Sequence, residues 1–343
     1  MPCCVGPDVS LNEVAICVVD AEGRVIREGA VDAEPEAIAA WLERHRGDVE
    51  TVGLEIGGIS RWLHGELTRR GLPAVCVDHR RLRAITKTMA VKTDRNNARG
   101  IAHVVRAGWY RPIHIGSERS QRMKMLLTNR RQLLTKAVDL ENAIRGTLRV
   151  FGVRLSGRIR GAHFERRATE TLADHPEFVP LVRPMLVACA TLRAQCAVLH
   201  ETMLDAVKED RACRLLMTAS GVGPLPAVTV VTTIDDPARF GRSRDVGAHL
   251  GLTPRKYASG ETDRNGGISK HGDVWSRTAL HQAAVGLLTR TGRWCALKAR
   301  SVRVVQRPGL RRAIVATARK LAVVLHRMWA DDAEFRWSSE AAA

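Results

Sequence analysis

The sequence predicts a mixed architecture: an α/β sheet domain at the N-terminus, followed by a longer all-α part. Three observations carry this. Short apolar runs punctuated by turn residues fill the first 115 positions, apolar residues at helical spacing take over from about 116, and Gly-rich turns alternate with basic helices from about 213. With 343 residues and 45% hydrophobic content, the chain has material for two or three cores and is not a disordered polymer.

In residues 1–115, "CCVGPDVS" and "EVAICVVD" read as two strands, and "DAEGRVI" supplies a turn and a third. After Pro35, "EAIAAWLERH" carries Ile38, Trp41 and Leu42 at helical spacing. "ETVGLEIGG" reads as a buried strand, "RWLHGELTRRG" as a helix ending at Gly71, and "AVCVD" as another strand. Three strands first, then strand–helix alternation, fits a ribonuclease H-like sheet.

Residues 116–212 read as nearly all helix. Met123, Leu126, Leu133, Ala137, Leu140, Ile144 and Phe151 form one apolar stripe, and Met185, Leu192, Cys196, Leu199, Met203 and Ala206 a second. Two such helices make an antiparallel hairpin, a coiled-coil arm between subunits, or part of an internal bundle. Residues 213–343 open with "TASGVGPLPAVTVVTTI", where G-V-G-P before a helix resembles a helix–hairpin–helix turn whose backbone N–H groups can receive a phosphate. A loop rich in Gly and charge, "TPRKYASGETDRNGGISKHGD", follows. Basic helices then close the chain, with Arg311, Arg312, Arg319, Lys320 and Arg327 among core-forming Leu and Val.

Lys and Arg total 54 against 36 Asp and Glu, a net charge of +18 spread along the whole length. That balance points to a polyanion as partner, most simply nucleic acid. The eight cysteines include no C-x-x-C pair and no zinc-finger spacing, so they read as reduced structural thiols. No signal peptide and no uninterrupted apolar run near 18 residues occurs, which predicts a soluble cytoplasmic protein.

Three carboxylates stand where acids need a reason. Asp8 ends the first strand, Glu55 ends a later one before Gly57-Gly58, and Asp94 opens a helix with Asn97, Ala98, Ile101 and Val105 on its face. Acids gathered at neighbouring strand ends repel unless a cation lies between them, and Mg²⁺ with oxygen ligands serves that purpose. Each also has a plain structural reading: a turn residue, a strand-end charge, a helix cap.

"VGPDVS", "GLEIGG" and "KTDRNNARGIA", in that order, resemble the motifs of insertion-sequence transposases with a RuvC-like DEDD domain, a family guided by a bridge RNA. The resemblance runs on through "SQRMKMLLTNRRQLLTKAVDLENAIRGTLRVFG", "GVGPLPA", "ARFGRSRDVGAHLGLTPRKYASGETDRNGGISKHGD" and "RAIVATARKLAVVLHRMW", nearly the whole chain. It implies a DNA recombinase with a Mg²⁺ site at Asp8, Glu55, Asp94 and position 97, and a nucleophilic serine at Ser259 of the S-G motif. It also implies a structured noncoding guide RNA, donor and target DNA, a homo-oligomer assembled through the middle helices, and a place at the bacterial nucleoid. Arg255, Lys256 and Lys270 flank the serine and are candidates, with Arg311 and Arg312, for holding nucleic acid.

The chain departs from the family pattern K-T-D-x-x-D-A by reading K-T-D-R-N-N-A, so Asn97 replaces the fourth acid. Asparagine keeps a carbonyl oxygen for a metal but forgoes a negative charge. Pro7 stands in place of an aliphatic residue beside Asp8, and Leu11 follows "DVS" where a lysine is common. An active recombinase, a copy that binds nucleic acid without cutting, and a ribonuclease H-type junction nuclease are therefore three distinguishable expectations.

Overall fold

A computed structural model describes residues 1–78, 82, 93–155, 157, 159–306 and 309–337. The chain divides into two compact units, Met1–Ile115 and Gly116–Ala343. Lys92 of the K-T-D motif lies outside the described residues.

The first unit holds a five-stranded sheet in the order β3-β2-β1-β4-β5. Strands β1 (Cys3–Val9), β2 (Glu13–Asp20) and β3 (Val25–Asp32) form an antiparallel meander, and β4 (Val49–Glu55) and β5 (Ala74–Val77) add in parallel. Helices α1 (Pro35–Leu42) and α2 (Ser60–Arg69) cover one face, burying Ile38, Leu42, Leu63 and Leu67 against Val5, Ile16 and Leu54. Helix α3 (Asp94–Arg106) covers the other, burying Ala98, Ile101, Ala102 and Val105 against Cys4, Cys17 and Val19. This is the ribonuclease H-like arrangement that three strands followed by strand–helix alternation predicts. Burial pushes the Cys17 thiol up to about 12, and all eight cysteines are buried and free of disulfides.

Two glycines set how closely α3 lies on the sheet. A Cβ at Gly6 would sit 2.2 Å from Ala102 N and 2.3 Å from Ala98 O, and one at Gly53 would sit 2.2 Å from Val105 Cγ2. At Gly6 backbone thus rests on backbone, and at Gly53 the Val105 side chain takes the space of a Cβ, which any larger residue would prevent.

The second unit is helical apart from one hairpin. Helices α4 (Glu118–Val150) and α6 (Val179–Glu209) run antiparallel along each other, Cys189 Sγ reaching Ala137 O and Cys196 Sγ reaching Arg130 O. Helix α5 (Ala162–Leu172) packs on their far end through Phe164, Ala168 and Leu172. The two apolar stripes meet as expected over most of their length, with two corrections. Phe151 lies beyond the end of α4, exposed, its ring against Phe178 at 4.8 Å. Glu141, one residue from Leu140 of the stripe, is fully buried and paired with Arg193, and Gly161 N donates to it at 2.9 Å. Residues 176–209 form a helix long and apolar enough to cross a membrane. The sequence hid this because Arg183 and Arg193 interrupt the run; the helix is one leg of the hairpin.

Helices α7 (Arg211–Met217) and α8 (Pro224–Ile234) flank the G-V-G-P turn. Gly221, at φ +80°, presses on helix α10 (Val274–Thr289), where a Cβ would meet Ala283 O at 2.4 Å. Pro224 and Pro226 occupy two of the first three helical positions and carry no N–H, and Ala227 N is spent on Gly223 O at 3.0 Å, which leaves fewer backbone donors for a phosphate at this helix start. The charged Gly-rich stretch expected as a loop is a two-stranded hairpin, β6 (Pro254–Ser259) and β7 (Thr262–Ile268). Its nearly complete exposure explains why no apolar alternation announced it. Helices α9 (Ser243–His249), α11 (Ala296–Val305) and α12 (Leu310–Ala330) complete the unit around Leu216, Val230, Leu280, Leu287 and Leu321.

Candidate functional site

The acid-bearing face of the first unit follows from strand parity. Cys4 and Gly6 face α3, so Asp8, two residues on, points the same way. Gly53 also faces α3, so Glu55 joins that side. The parallel ladder between β1 and β4 ends at the pair Val5↔Val52, three residues before each acid. Pro7 explains why the ladder stops. Cys3 N donates to Asp48 O at 2.8 Å, so odd-numbered amides of β1 aim at the β4 side, and Pro7 has none to offer. The two strands come unlaced where Asp8 and Glu55 stand.

Helix α3 brings the other two residues. Thr93 is its N-cap, accepting from Asn96 N at 3.2 Å, which corrects the reading of Asp94 as the cap. Asp94 is exposed at the first helical position. Asn97, one turn on and half-buried, donates from Nδ2 to Asp8 Oδ2 at 3.1 Å. The helix is anchored beside them by Glu28 of β3, which binds Arg99 and Arg95 of α3, with Arg99 Nη2 and Arg95 Nε each 2.8 Å from Oε2. Hydrogen bonds and charge from Arg99 and then Arg95 hold the Glu28 carboxyl down to about 2, against its desolvation. Sequence reasoning missed this anchor, although Arg95 and Arg99 at i and i+4 on one helix edge were its signal.

The donors are hard oxygens of the kind a divalent cation takes: carboxylates of Asp8, Glu55 and Asp94, and the Asn97 amide oxygen. They fit such an ion in kind. Among the described residues, however, no three His, Cys, Asp or Glu side chains gather closely enough to hold one. The Asn97 hydrogen bond occupies one oxygen of the Asp8 carboxylate.

In the second unit, Ser259 is the last residue of β6, paired with Thr262 across a two-residue turn. Gly260 begins that turn at φ +53°, the side that a tight hairpin loop requires of its first central residue. The S-G pair therefore has a structural cause: glycine closes the turn and leaves serine at its edge. Ser259 is exposed, and its hydroxyl has no hydrogen-bond partner among the described residues. The hairpin base, by contrast, is fixed. Ser269 N and Lys270 N donate to Thr253 O and Gly251 O at 2.8 and 3.1 Å, and Arg277 Nη1 donates to Gly272 O at 2.9 Å.

The candidate cations fall into two groups. Arg255, exposed on β6, donates to Ser269 O at 3.4 Å; Lys256 pairs with Asp263 at 3.2 Å; Lys270 adopts φ +57° just after β7. Arg311 and Arg312 lie in the first turn of α12, exposed, and line a groove with β7. Tyr257 shares the Ser259 side of β6, its ring lying over Gly266, where a Cβ would be 2.9 Å from Cε2.

The chain is similar to known transposases. A transposase family model for the DEDD domain matches residues 5–152, and one described as transposase IS116/IS110/IS902 family matches residues 213–300. The chain is 29% identical over 329 residues to the transposase for insertion sequence element IS1111A of Coxiella burnetii, covering 93% of this chain and 87% of that one. It is 30% identical over 198 residues to a probable family 20 transposase of Pseudomonas aeruginosa, covering 56% of this chain and 58% of that one. The fold and the matches define a DNA transposase whose N-terminal domain is RuvC-like, a domain class that typically depends on divalent metal. The chain belongs to the IS110/IS116/IS902 family of insertion-sequence transposases.

Proposed function

We propose that this transposase cuts and rejoins DNA through a covalent phosphoserine at Ser259. The observation that carries the proposal is the unbonded hydroxyl at the edge of a glycine-closed turn, on a hairpin whose base is fixed and whose tip is bare. In the step proposed, Ser259 Oγ bonds to the scissile phosphorus and gives up its proton, while the P–O bond to the leaving sugar breaks and that oxygen is protonated. The link conserves the phosphodiester energy, so a second sugar hydroxyl reverses the step on a new partner without ATP. Arg255, Lys256 and Lys270 neutralise phosphate charge near the hairpin.

In this reading Asp8, Glu55, Asp94 and the Asn97 oxygen would hold the divalent ion, Mg²⁺, after moving closer together than they stand in this structure. When bound, such an ion supplies charge stabilisation and a more reactive attacking group. The protein's own part is positional: Gly6 and the Glu28 pairs seat α3, and Pro7 keeps the strand ends apart. Donor and target DNA, a structured guide RNA and further copies of this chain assembling through α4 and α6 are the partners, in a bacterial cytoplasm at the nucleoid. The exposed Met125, Leu181, Val187 and Val198 on those helices support the assembly role.

The Asn97–Asp8 hydrogen bond favours a second reading: a chain that binds nucleic acid but cuts weakly or not at all. Mg²⁺-dependent strand cleavage on DNA carrying the element's ends decides between them. Under the phosphoserine proposal, cleavage is expected from the parent or from Asn97→Asp, and none from Asp94→Ala, Glu55→Ala or Ser259→Ala. Cleavage by neither parent nor Asn97→Asp, with binding intact, establishes the binding-only reading. Cleavage by Ser259→Ala without any covalent protein–DNA adduct establishes a junction nuclease.

A further inference from the structure

Between β7, α9, α11 and α12 runs a groove of about 1020 Å³. Among the described residues, its lining contains six cations, Arg244, Arg300, Arg311, Arg312, Arg319 and Lys320, and no acid. All six are exposed, and none forms an ion pair among the described residues; the nearby Asp245 is taken by Arg242 at 3.1 Å. Four belong to the basic helix α12, and packing adds Arg244 of α9 and Arg300 of α11. Gathering six like charges costs free energy that no protein partner here offsets, which calls for an anionic ligand.

The groove is not a uniformly polar trough. Leu252, Val304, Val315 and Val323 line it together with the cations. The Thr317 hydroxyl donates to Ser301 Oγ at 2.8 Å and ties α12 to α11 beneath it. The Arg319 stem lies against Gly247 of α9, where a Cβ would be 3.2 Å from its Cγ. A duplex would press phosphates onto the apolar lining, where they lose water without gaining a partner. A single strand suits both kinds of lining, with its phosphates on the cations and its sugars or bases over the valines.

Location selects the strand. Asn265, Gly266 and Gly267 of β7 line the groove, and Asn265 pairs with Lys256, three residues before Ser259. The hairpin tip therefore lies about 10 Å along the strand from the groove wall. We infer that this groove binds a single strand of the DNA being cut and leads it to Ser259. The inference rests on the phosphoserine reading for its destination but not for its ligand.

The test is a salt titration of binding to a labelled single-stranded DNA, an RNA of the same sequence and the blunt DNA duplex, using the full chain. Changing Arg244, Arg300, Arg319 and Lys320 together to Gln should lower the log–log salt slope on single-stranded DNA by about 3, at roughly 0.7 for each phosphate no longer neutralised, and should leave the duplex slope nearly unchanged. A control with Lys136, Arg149, Arg166 and Arg183, exposed cations of α4, α5 and α6, changed to Gln should keep the parent's single-strand slope. An equal decrease in both variants makes net charge the cause and overturns the inference. So does a decrease confined to RNA, or to the duplex. A second readout on the unmodified chain guards against misfolding of the variant: single-stranded DNA should protect Lys320 from acetylation, and undiminished acetylation contradicts the assignment. If the groove results hold while no Ser259 adduct ever forms, the strand site stands and the phosphoserine reading falls.

Discussion

The acid-bearing face of the first unit and the serine hairpin of the second are built on opposite plans. Asp8, Glu55 and Asn97 are set by packing: two glycines let α3 rest on the sheet, an ion-pair anchor holds its edge, and a hydrogen bond joins Asn97 to Asp8. Ser259 is set by a turn alone, with every hairpin residue but Ile268 exposed. Under the proposed function the difference is chemical: a metal site requires donors fixed relative to one another, whereas a nucleophile that must meet a long polymer gains from standing clear of its own protein.

The largest effect should come from the close backbone approach beneath the acid face. Gly6→Ala places a methyl 2.2 Å from Ala102 N, so α3 must lift; we expect a loss of about 3 kcal/mol in urea unfolding of the first unit. An unchanged midpoint would show that the close approach is not what seats the helix. In contrast, Gly260→Ala at the hairpin tip meets no atom within 4 Å and should cost only about 1 kcal/mol through its positive φ, while slowing cleavage by shifting Ser259.

Asn97→Asp removes a hydrogen-bond donor from Asp8 and adds a charge. Mg²⁺ binding, measured by calorimetry without DNA, should tighten about tenfold. No change would exclude position 97 from the ligands.

Glu28→Gln should have a smaller effect. The folded carboxyl is depressed to about 2 from an ordinary 4.5, so its stabilising contribution is present above 4.5 and fades as pH falls toward 2. Solvent screening of Arg95 and Arg99 reduces it to about 1 kcal/mol at pH 7. Parent and variant should differ in unfolding free energy at pH 7 and converge near pH 2; a gap that widens in acid would contradict the assignment.

Much of the first unit was legible because its strands and helices alternate cleanly between apolar and turn residues. Asp8 and Glu55 could be placed at strand ends, but only strand parity and Gly6 reveal that both face α3. In the second unit, the β6–β7 hairpin was illegible, since a fully exposed strand pair carries no apolar period. The cationic groove was legible only in part: Arg311, Arg312, Arg319 and Lys320 show as a basic helix, whereas Arg244 and Arg300 join them only through packing. Pro224 and Pro226 were visible from the start, and their missing N–H groups already reduced the donors that G-V-G-P could offer a phosphate.

The central claim, that an exposed hairpin serine forms the bond to DNA, is tested most directly by locating a trapped adduct. Cleavage of element-end DNA with Mg²⁺ and guide RNA, in the Asn97→Asp chain, should be stopped by denaturation and the protein digested for mass spectrometry. A nucleotide is expected on the peptide containing Ser259, absent from Ser259→Ala, whose fold and DNA binding stay intact because a small exposed change costs little stability. A nucleotide on Tyr257, or an adduct of undiminished yield in Ser259→Ala, would contradict it.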